Sequence, residues 1–308
     1  MRNAILTNTL RYLNLSCVYR QSRRRVTNLH LTRYFNVVEL DDSSVGACMS
    51  YFNLPDSTLA SAEELLSRFL EIDVFAVCDE SAASDVLCAC IPNDLQRYLV
   101  VTSVTATIAN ALSSPLIRAG GDDVFEVLSH RPAGWFDGIE SALIVGFGGY
   151  LRTLIMEEHV KRIHVVDLGY DHRRSVIEEK LEIFRKRFSK KTITASSGFD
   201  SSIKCRDFDL VSITGSTLCN GTLEGILETA RPDALMVLQG QSASLHPCVL
   251  FRCGIRWIAT TVKPSMVGKI ATRGEYSGES LRSILEGTLP WIYLARRERF
   301  NDRAFASQ

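Results

Sequence analysis

Strand-like apolar runs and helical segments alternate along the second half of the chain, beginning near residue 139. SALIVGFG ends in glycines, and RIHVVDL follows after a helical pattern. The later strand-like runs, separated by further helical stretches, are TITAS, DFDLVSITG, ALMVLQG and GIRWIATT. Such alternation is typical of a parallel sheet with right-handed crossovers, and near-continuous apolar strands fit a sheet that is covered on both faces. We therefore expect residues 139–270 to form a Rossmann-like, doubly wound α/β domain of the class I methyltransferase-like kind.

The first half of the chain predicts a small α+β domain over residues 34–138. Residues 34–53 read as two strands around the polar turn DDSS. A capping-box pattern predicts a helix over 61–71, and Asn93 is placed to cap a second helix over 93–113. No glycine-rich phosphate loop interrupts this half.

Residues 1–33 carry seven arginines, whereas Glu39 is the first acidic residue of the chain. An Arg-rich, acid-free start is typical of a mitochondrial transit peptide. Leucines and tyrosines recur here at helical spacing, however, which favours an ordered helical arm. We expect residues 1–33 to form such an arm and to close as a lid over a ligand pocket. Residues 271–308 are expected to form a helical extension.

Charge and cysteine usage narrow the class of protein. Lys+Arg and Asp+Glu both number 35, which disfavours nucleic acid as a partner. No apolar run approaches the ~20 residues of a membrane helix. The nine cysteines form no CxxC pair, and several lie in apolar runs that look like strands, DVFAVCD and VLCACI. This pattern predicts buried, reduced thiols, a cytoplasmic location and no metal site.

Two of the strand ends predict an adenosine-containing ligand. The first strand closes on the turn Gly146-Phe147-Gly148-Gly149. Asp167 closes the second strand, 21 positions after Gly146, where an acid commonly accepts hydrogen bonds from ribose hydroxyls. The alternative is a tight turn beside a solvent-facing acid. Position 151 is Leu, which departs from the dinucleotide pattern, so S-adenosylmethionine is favoured over NAD, and NADP comes last.

A third strand end carries an excess of polar side chains over residues 214–222, TGSTLCNGT. A helix N-cap needs only one such group. Thr214, Gly215, Ser216, Thr217 and Asn220 are therefore expected to form a polar cradle for a small zwitterion. The alternative is an elaborate cap and turn. After the preceding strand, the segment Gly198-Phe199-Asp200 is placed to bracket an adenine, although Phe199 is equally typical of a core residue.

The segment ITGSTLCNGTLEGILETAR, followed by VLQGQSASLHPCVLFRCGIRWIA, resembles a Rossmann-like family named for heavy-metal chelation. VGACMSYFN and SVTATIANAL are similar to the partner domain of that family, and the resemblance covers roughly residues 37–270. Gln241 stands where the family pattern has proline, and the arm lies outside the pattern. The family name implies a role with metals, but no ligand cluster stands out in the sequence, and we expect no metal.

The function expected from these features is that of an S-adenosylmethionine enzyme. The chain also resembles, at the level of architecture, azetidine-2-carboxylate synthases, which cyclise the aminobutyrate part of S-adenosylmethionine and release methylthioadenosine. Asn220, Ser216 and Thr217 would hold the amine, and three tyrosines, Tyr12, Tyr19 and Tyr150, would face the sulfonium. Open alternatives are a small-molecule methyltransferase, a non-catalytic protein that binds a metal chelate or nucleotide, and an NAD-dependent oxidoreductase. The expected partner is a small molecule, and no contact with a membrane is expected. The sequence leaves open whether the protein forms a homodimer.

Overall fold

In a computed structural model, the chain folds around two β-sheets and a long helix packed between them. The structure describes residues 3–15, 24–71, 73–148, 150–198, 205–263 and 289–297. One sheet has three strands and the other has eight. The α/β class and the parallel-rich sheet predicted from the sequence are confirmed.

The N-terminal half contains the three-stranded antiparallel sheet, in the order β1-β2-β3. Its strands are β1 Val26–Leu31, β2 Phe35–Leu40 and β3 Val45–Met49. The helices of this half are α1 Ala4–Leu15, α2 Asp56–Leu70, α3 Glu80–Leu87 and α4 Asp94–Arg118. The hairpin predicted around DDSS is therefore confirmed, whereas α2 begins five residues before its predicted start, after Pro55.

Helix α4 is the central helix of the molecule. The Asn93 side chain accepts a hydrogen bond from the backbone N–H of Gln96 at 2.9 Å, as the capping prediction required. Gly46 on β3 packs so closely against α4 that a Cβ there would lie 2.0 Å from the carbonyl oxygen of Thr107. The helix is long and apolar enough to cross a membrane, but 89% of its most apolar stretch is buried inside the protein. It is a core helix in this fold.

The eight-stranded sheet has the order β4-β11-β10-β9-β8-β5-β6-β7. Its strands are β4 Phe125–Leu128, β5 Ser141–Val145, β6 Arg162–Asp167, β7 Thr192–Ser197, β8 Leu210–Thr214, β9 Leu235–Gln239, β10 Ile255–Thr261 and β11 Trp291–Arg296. Strands β5 to β10 are parallel, and counted from β5 their order is 3-2-1-4-5-6, the doubly wound nucleotide-binding order. The methyltransferase-like variant of this fold stays a prediction.

One helix of 18 residues and four shorter ones follow the parallel strands. They are α5 Tyr150–Met156, α6 Tyr170–Arg187, α7 Ser216–Cys219, α8 Leu223–Thr229 and α9 Cys248–Arg252. In the parallel sheet the order of neighbouring strands reverses at β5, which lies between β6 and β8. Ligands of such sheets bind beyond the carboxyl ends of the strands at this point.

Several local predictions differ from the structure. Strand β1 lies within the region expected to be a helical arm, and β11 lies within the expected helical extension. The runs DVFAVCD and VLCACI were expected to be strands, but a 3₁₀ turn covers 74–78 and α3 covers 80–87. Two aspartates favour helical structure in this region. Asp73 accepts a hydrogen bond from the backbone N–H of Phe75 and caps the 3₁₀ turn. Asp79 accepts one from the backbone N–H of Ala82 and caps α3.

Cysteine burial is mixed among the residues that the structure describes. Cys48, Cys205, Cys219 and Cys248 are buried free thiols, as predicted, whereas Cys88 and Cys253 are exposed. Composition alone cannot separate the two groups, because both lie in apolar runs. A cytoplasmic location remains a prediction.

Candidate functional site

A cavity of about 1150 Å³ lies at the carboxyl ends of β5, β6 and β8, where the strand order reverses. Gly146, Asp167 and Thr214 line it from the sheet. Met49 and Tyr51, at the end of the N-terminal hairpin, line it from the other side. The cavity is therefore a cleft between the two sheets, in the position expected of a ligand site in this fold.

Gly146 brings the ends of β5 and β8 together. Its φ is +88°, in the left-handed region that favours glycine. A Cβ at this position would lie 2.7 Å from Cγ2 of Thr214. Any other residue would therefore strain the turn and push the polar loop 214–222 away from β5.

Asp167 fastens the glycine turn to the end of β6. Its Oδ2 accepts a hydrogen bond from the backbone N–H of Phe147 at 2.8 Å. Its Oδ1 accepts from the backbone N–H of Gly169 at 2.8 Å and from Nη2 of Arg173 at 2.7 Å. Only 9% of the Asp167 side chain is exposed, against 51% for Arg173. Since a carboxylate has about four acceptor positions, this network leaves one open.

The polar loop 214–222 makes many hydrogen bonds within itself. Thr214 Oγ1 lies 3.0 Å from Ser216 Oγ, and Thr217 Oγ1 donates to the Thr214 carbonyl at 2.7 Å. Asn220 Oδ1 accepts from Thr222 N–H at 3.2 Å and from Thr222 Oγ1 at 2.7 Å. These bonds match the cap-and-turn alternative, yet Ser216, Thr217 and Asn220 also line the cavity. The loop is thus a preorganised polar wall.

Tyr51 is a cavity residue that sequence analysis missed. Burial raises its pKa to about 12, and its side chain is hydrogen-bonded to Ser216 on the opposite wall. Asp167 and Arg173 also act on it electrostatically. No motif marks Tyr51, because its position depends on the hairpin lying across the ends of the sheet. The sequence signal is that this aromatic residue lies in the second strand of the predicted hairpin 34–53, within the segment VGACMSYFN.

Basic side chains add positive charge to the same cavity. Arg173, Arg206 and Arg231 line it, together with Glu228. Arg231 pairs with two aspartates. Its Nη2 lies 3.0 Å from Oδ1 of Asp209, and its Nε lies 2.9 Å from Oδ1 of the exposed Asp233. Arg206 is exposed at the cavity edge. Arg173 and Arg231 are each paired with an aspartate, so Arg206 is the arginine of this lining that best suits a ligand with an anionic group.

Two of the tyrosines expected at the sulfonium lie elsewhere. Tyr12 packs on His246, with ring centroids 4.7 Å apart, and burial raises its pKa. Tyr150 lies in an aromatic cluster with Trp257, 5.6 Å between centroids, where burial also raises its pKa. Neither residue lines the cavity. Helix α1 does not line it either, so this part of the expected lid lies away from the cavity, whereas residues 16–23 of the expected arm lie outside the described residues.

The remaining predicted residues are placed as follows. The Phe147 ring lies 5.8 Å from Nζ of Lys180, and its backbone belongs to the Asp167 network. Gly148 faces open space. Gly198 ends β7 with a φ of +58°. Gly149, Phe199, Asp200 and Tyr19 lie outside the described residues.

No cluster of three or more His, Cys, Asp or Glu side chains that could hold a metal ion occurs among the described residues. His246, for example, is fully buried, and its Nε2 is hydrogen-bonded to Oδ2 of Asp122 at 2.7 Å. The side chains in the described part of the chain therefore offer no site for a bare metal ion.

Part of the chain matches a known protein family, and the whole fold is similar to solved structures. Residues 140–276 match the DUF364 family, described as "Putative heavy-metal chelation". A DUF364 protein of unknown function from Desulfitobacterium hafniense has a similar fold, with a TM-score of 0.58 and 12% identity over 94% of this chain and 98% of that chain. One from Pyrococcus horikoshii has a TM-score of 0.53 and 14% identity over 96% and 100%. No curated protein matches the chain.

The family match agrees with the resemblance seen in the polar loop and its surroundings. Both solved structures span almost the whole chain, so the likeness includes the N-terminal sheet as well as the Rossmann-like part. At this identity the likeness concerns the fold alone. The chain thus shares its overall fold with these two solved DUF364 structures.

Proposed function

We propose that the cavity binds S-adenosylmethionine and that the protein acts on the aminobutyrate part of this ligand. The observation that carries the proposal is that Gly146, Asp167 and the polar loop, which are far apart in sequence, line one cavity at the point where the strand order reverses. The cavity, at about 1150 Å³, has room for a ligand of this size.

Asp167 is proposed to bind the ribose. Its carboxylate keeps one acceptor position open, and the Arg173 side chain that occupies another is half exposed. A ribose hydroxyl can therefore donate to Asp167 while the backbone bonds to Phe147 and Gly169 persist. The glycine turn lets the backbone approach the adenosine closely.

The polar loop is proposed to hold the methionine end of the ligand. Hydroxyls of Ser216 and Thr217 suit a carboxylate. The Asn220 amide oxygen can accept from an amine in place of the Thr222 hydroxyl that donates to it in this structure. Tyr51, on the opposite wall, offers an aromatic face to the sulfonium cation. Tyr51 thus takes the role that the sequence suggested for Tyr12 and Tyr150.

In the proposed reaction the substrate's own amine attacks its γ-carbon. The amine first loses a proton to solvent, the new C–N bond closes a four-membered ring, and the C–S bond breaks. The electron pair of that bond stays on sulfur, which leaves as neutral methylthioadenosine together with azetidine-2-carboxylate. Ring closure requires the nitrogen to lie opposite the departing sulfur. The walls of the cavity must therefore hold the aminobutyrate chain of the substrate in a folded conformation.

Incubation with S-adenosylmethionine alone, followed by mass spectrometry, tests the reaction. Methylthioadenosine is expected to accumulate without an added acceptor, and Asn220→Ala should lower turnover more than affinity. Homoserine in place of azetidine-2-carboxylate would show that water competes. S-adenosylhomocysteine as the main product would identify a methyltransferase instead.

Ligand binding is tested separately by calorimetry with S-adenosylmethionine and NAD. Asp167→Ala is expected to weaken S-adenosylmethionine binding by roughly 1.5–3 kcal/mol, the cost of losing hydrogen bonds to a charged acceptor. Asp171→Ala, on the exposed start of α6, is the matched control and should leave affinity unchanged. Equal affinity in the two variants would remove Asp167 from the site.

A second candidate function is non-catalytic binding of an anionic metal chelate. It is favoured by Arg206 at the cavity edge and by the description of the matching family. Because the described side chains form no metal cluster, the metal would arrive already chelated. Titration with ferric citrate against free ferric ion tests this candidate. Binding of the chelate, without turnover of S-adenosylmethionine, would favour it over the first.

A further inference from the structure

Two buried thiols meet beside the cavity, at the junction of the two sheets. Cys48 lies on β3 directly before the cavity residue Met49, and Cys219 ends α7 directly before the cavity residue Asn220. Both cysteines are fully buried, and their side chains are hydrogen-bonded to each other. The pair therefore connects one wall of the cavity to the other.

The sulfur of Cys48 has both an acceptor and donors beside it, and its thiol donates to the Ser242 carbonyl at 3.9 Å. Asn110 on α4 donates its side-chain N–H to Cys48 Sγ at 3.2 Å. The amine of Lys263, which is 1% exposed, lies close by and donates to the carbonyls of Gln241 and Thr261. An amide and an amine beside a thiol favour its thiolate form.

The two thiols have opposite protonation preferences. Burial raises the pKa of Cys48, but the hydrogen bond from Cys219 and the charge of Lys263 outweigh it, so the pKa lies below its usual value. Burial and the neighbouring Cys48 raise the pKa of Cys219 well above its usual value. One sulfur is thus the better nucleophile, and the other keeps its proton.

We propose that Cys48 and Cys219 form a reversible disulfide that joins the N-terminal hairpin to the polar loop under oxidising conditions. The oxidant is a hydroperoxide such as hydrogen peroxide, which is small and uncharged. Redox-sensing cysteines combine a nucleophilic thiolate, a second thiol and access for the oxidant. Because both thiols are buried here, the peroxide would have to reach them from the adjoining cavity, past Met49 and Asn220. Disulfides in reducing compartments are typically transient in this way.

The chemistry balances as follows. The Cys48 thiolate attacks one peroxide oxygen, the O–O bond breaks, and the departing hydroxide takes up a proton as water. The sulfur of Cys219 then attacks the resulting sulfenic sulfur, the S–O bond breaks, and the oxygen leaves with the Cys219 proton as a second water. Two thiols and one peroxide give a disulfide and two waters, and a dithiol reductant reverses the change.

Peptide mapping of the full-length protein tests the proposal. After treatment with hydrogen peroxide, alkylation and digestion without reductant, a cross-linked peptide pair containing Cys48 and Cys219 is expected, two hydrogens lighter than the reduced pair. The exposed Cys88 and Cys253 are internal controls for the dose of oxidant. The proposal is overturned when these exposed thiols are oxidised while Cys48 and Cys219 remain open to alkylation in denaturant.

Thermal unfolding gives a second readout. The cross-link closes a loop between positions 48 and 219, so oxidation should raise the midpoint by roughly 5 °C, and dithiothreitol should reverse the rise. Cys48→Ser should abolish the rise, whereas the double variant Cys88→Ser, Cys253→Ser should keep it. A rise that persists in Cys48→Ser would contradict the assignment. The peptide map of the wild-type protein decides the question even where Cys48→Ser fails to fold.

Discussion

Gly146 shows how one backbone conformation shapes the cavity. Its φ is +88°, and a Cβ would meet Cγ2 of Thr214 at 2.7 Å. We expect Gly146→Ala to lower the free energy of unfolding by roughly 2–4 kcal/mol, from the left-handed backbone together with the clash. Gly148→Ala, which faces open space, is the control and should cost under ~1 kcal/mol. Urea unfolding compares the two, and equal losses would contradict the explanation.

Lys263 should couple stability to pH. Burial lowers the pKa of its amine to about 7, whereas a lysine in the unfolded chain titrates near ~10.4. Between these values the unfolded state binds more protons, so the free energy of unfolding increases with pH. The lowered pKa of Cys48 acts in the same direction, and the raised pKa of Cys219 acts in the opposite direction only above ~8.5.

The expected outcome is a gain in stability of about 1–2 kcal/mol between pH 7 and pH 8.5, at a slope of at most ~1.4 kcal/mol per pH unit. Lys263→Met should flatten most of this rise. Lys190→Met, on an exposed lysine, should retain it. Urea unfolding at three pH values measures the slope, and an unchanged slope in Lys263→Met would assign the effect to other groups.

At the scale of elements, α1 belongs to the core. Leu6, Leu10 and Leu13 are fully buried or nearly so, and the helix packs against α4 and α9. We expect Leu10→Ala to destabilise the protein by about 2–4 kcal/mol. Leu15→Ala, at a leucine that is 55% exposed on the same helix, should change stability by under ~0.5 kcal/mol. A lid that opens freely would instead tolerate both changes.

Elements with strong periodicity could be predicted from the sequence. Five of the six parallel strands are recognisable as apolar runs because both faces of their sheet are covered, whereas the edge strand β7 has one buried residue. Helix α4 could be placed by the Asn93 cap. Strands β4 and β11 could not be predicted, because at least half of the residues in each are only partly buried, and β4 has only four residues. The sequence predicts strands around 74–87, because the apolar residues there follow neither the helical nor the strand period clearly. The caps provided by Asp73 and Asp79 make the region helical instead.

The candidate site was predictable where it follows strand ends. Gly146, Asp167 and the polar loop could be named because the carboxyl ends of parallel strands meet at one edge. Tyr51 and Lys263 could not, since their roles depend on how the N-terminal hairpin and the loops after β9 and β10 pack together. Residues brought together by packing between distant elements carry no local pattern.

At the scale of the whole molecule, the two sheets share a hydrophobic core. One cluster of buried side chains includes Leu29 and Val38 of the small sheet together with Val211 and Leu238 of the large one. We therefore expect a single cooperative unfolding transition, although the sequence suggests two domains. Far-ultraviolet circular dichroism and tryptophan fluorescence should give the same midpoint. The fluorescence reports on Trp257 and Trp291 in the large sheet and on Trp135, which stacks on Trp257. Two separated midpoints would show independent units.

The pairing of β4 has a consequence for how the chain is synthesised. In the large sheet β4 borders β11 alone, and β11 lies more than 160 residues further along the chain. A ribosome therefore releases β4 long before its neighbouring strand exists. During that interval the strand is open to wrong partners, as unpaired edges are in slowly completed sheets. The charged side chain of Glu126 at its centre is the kind of residue that discourages such mispairing.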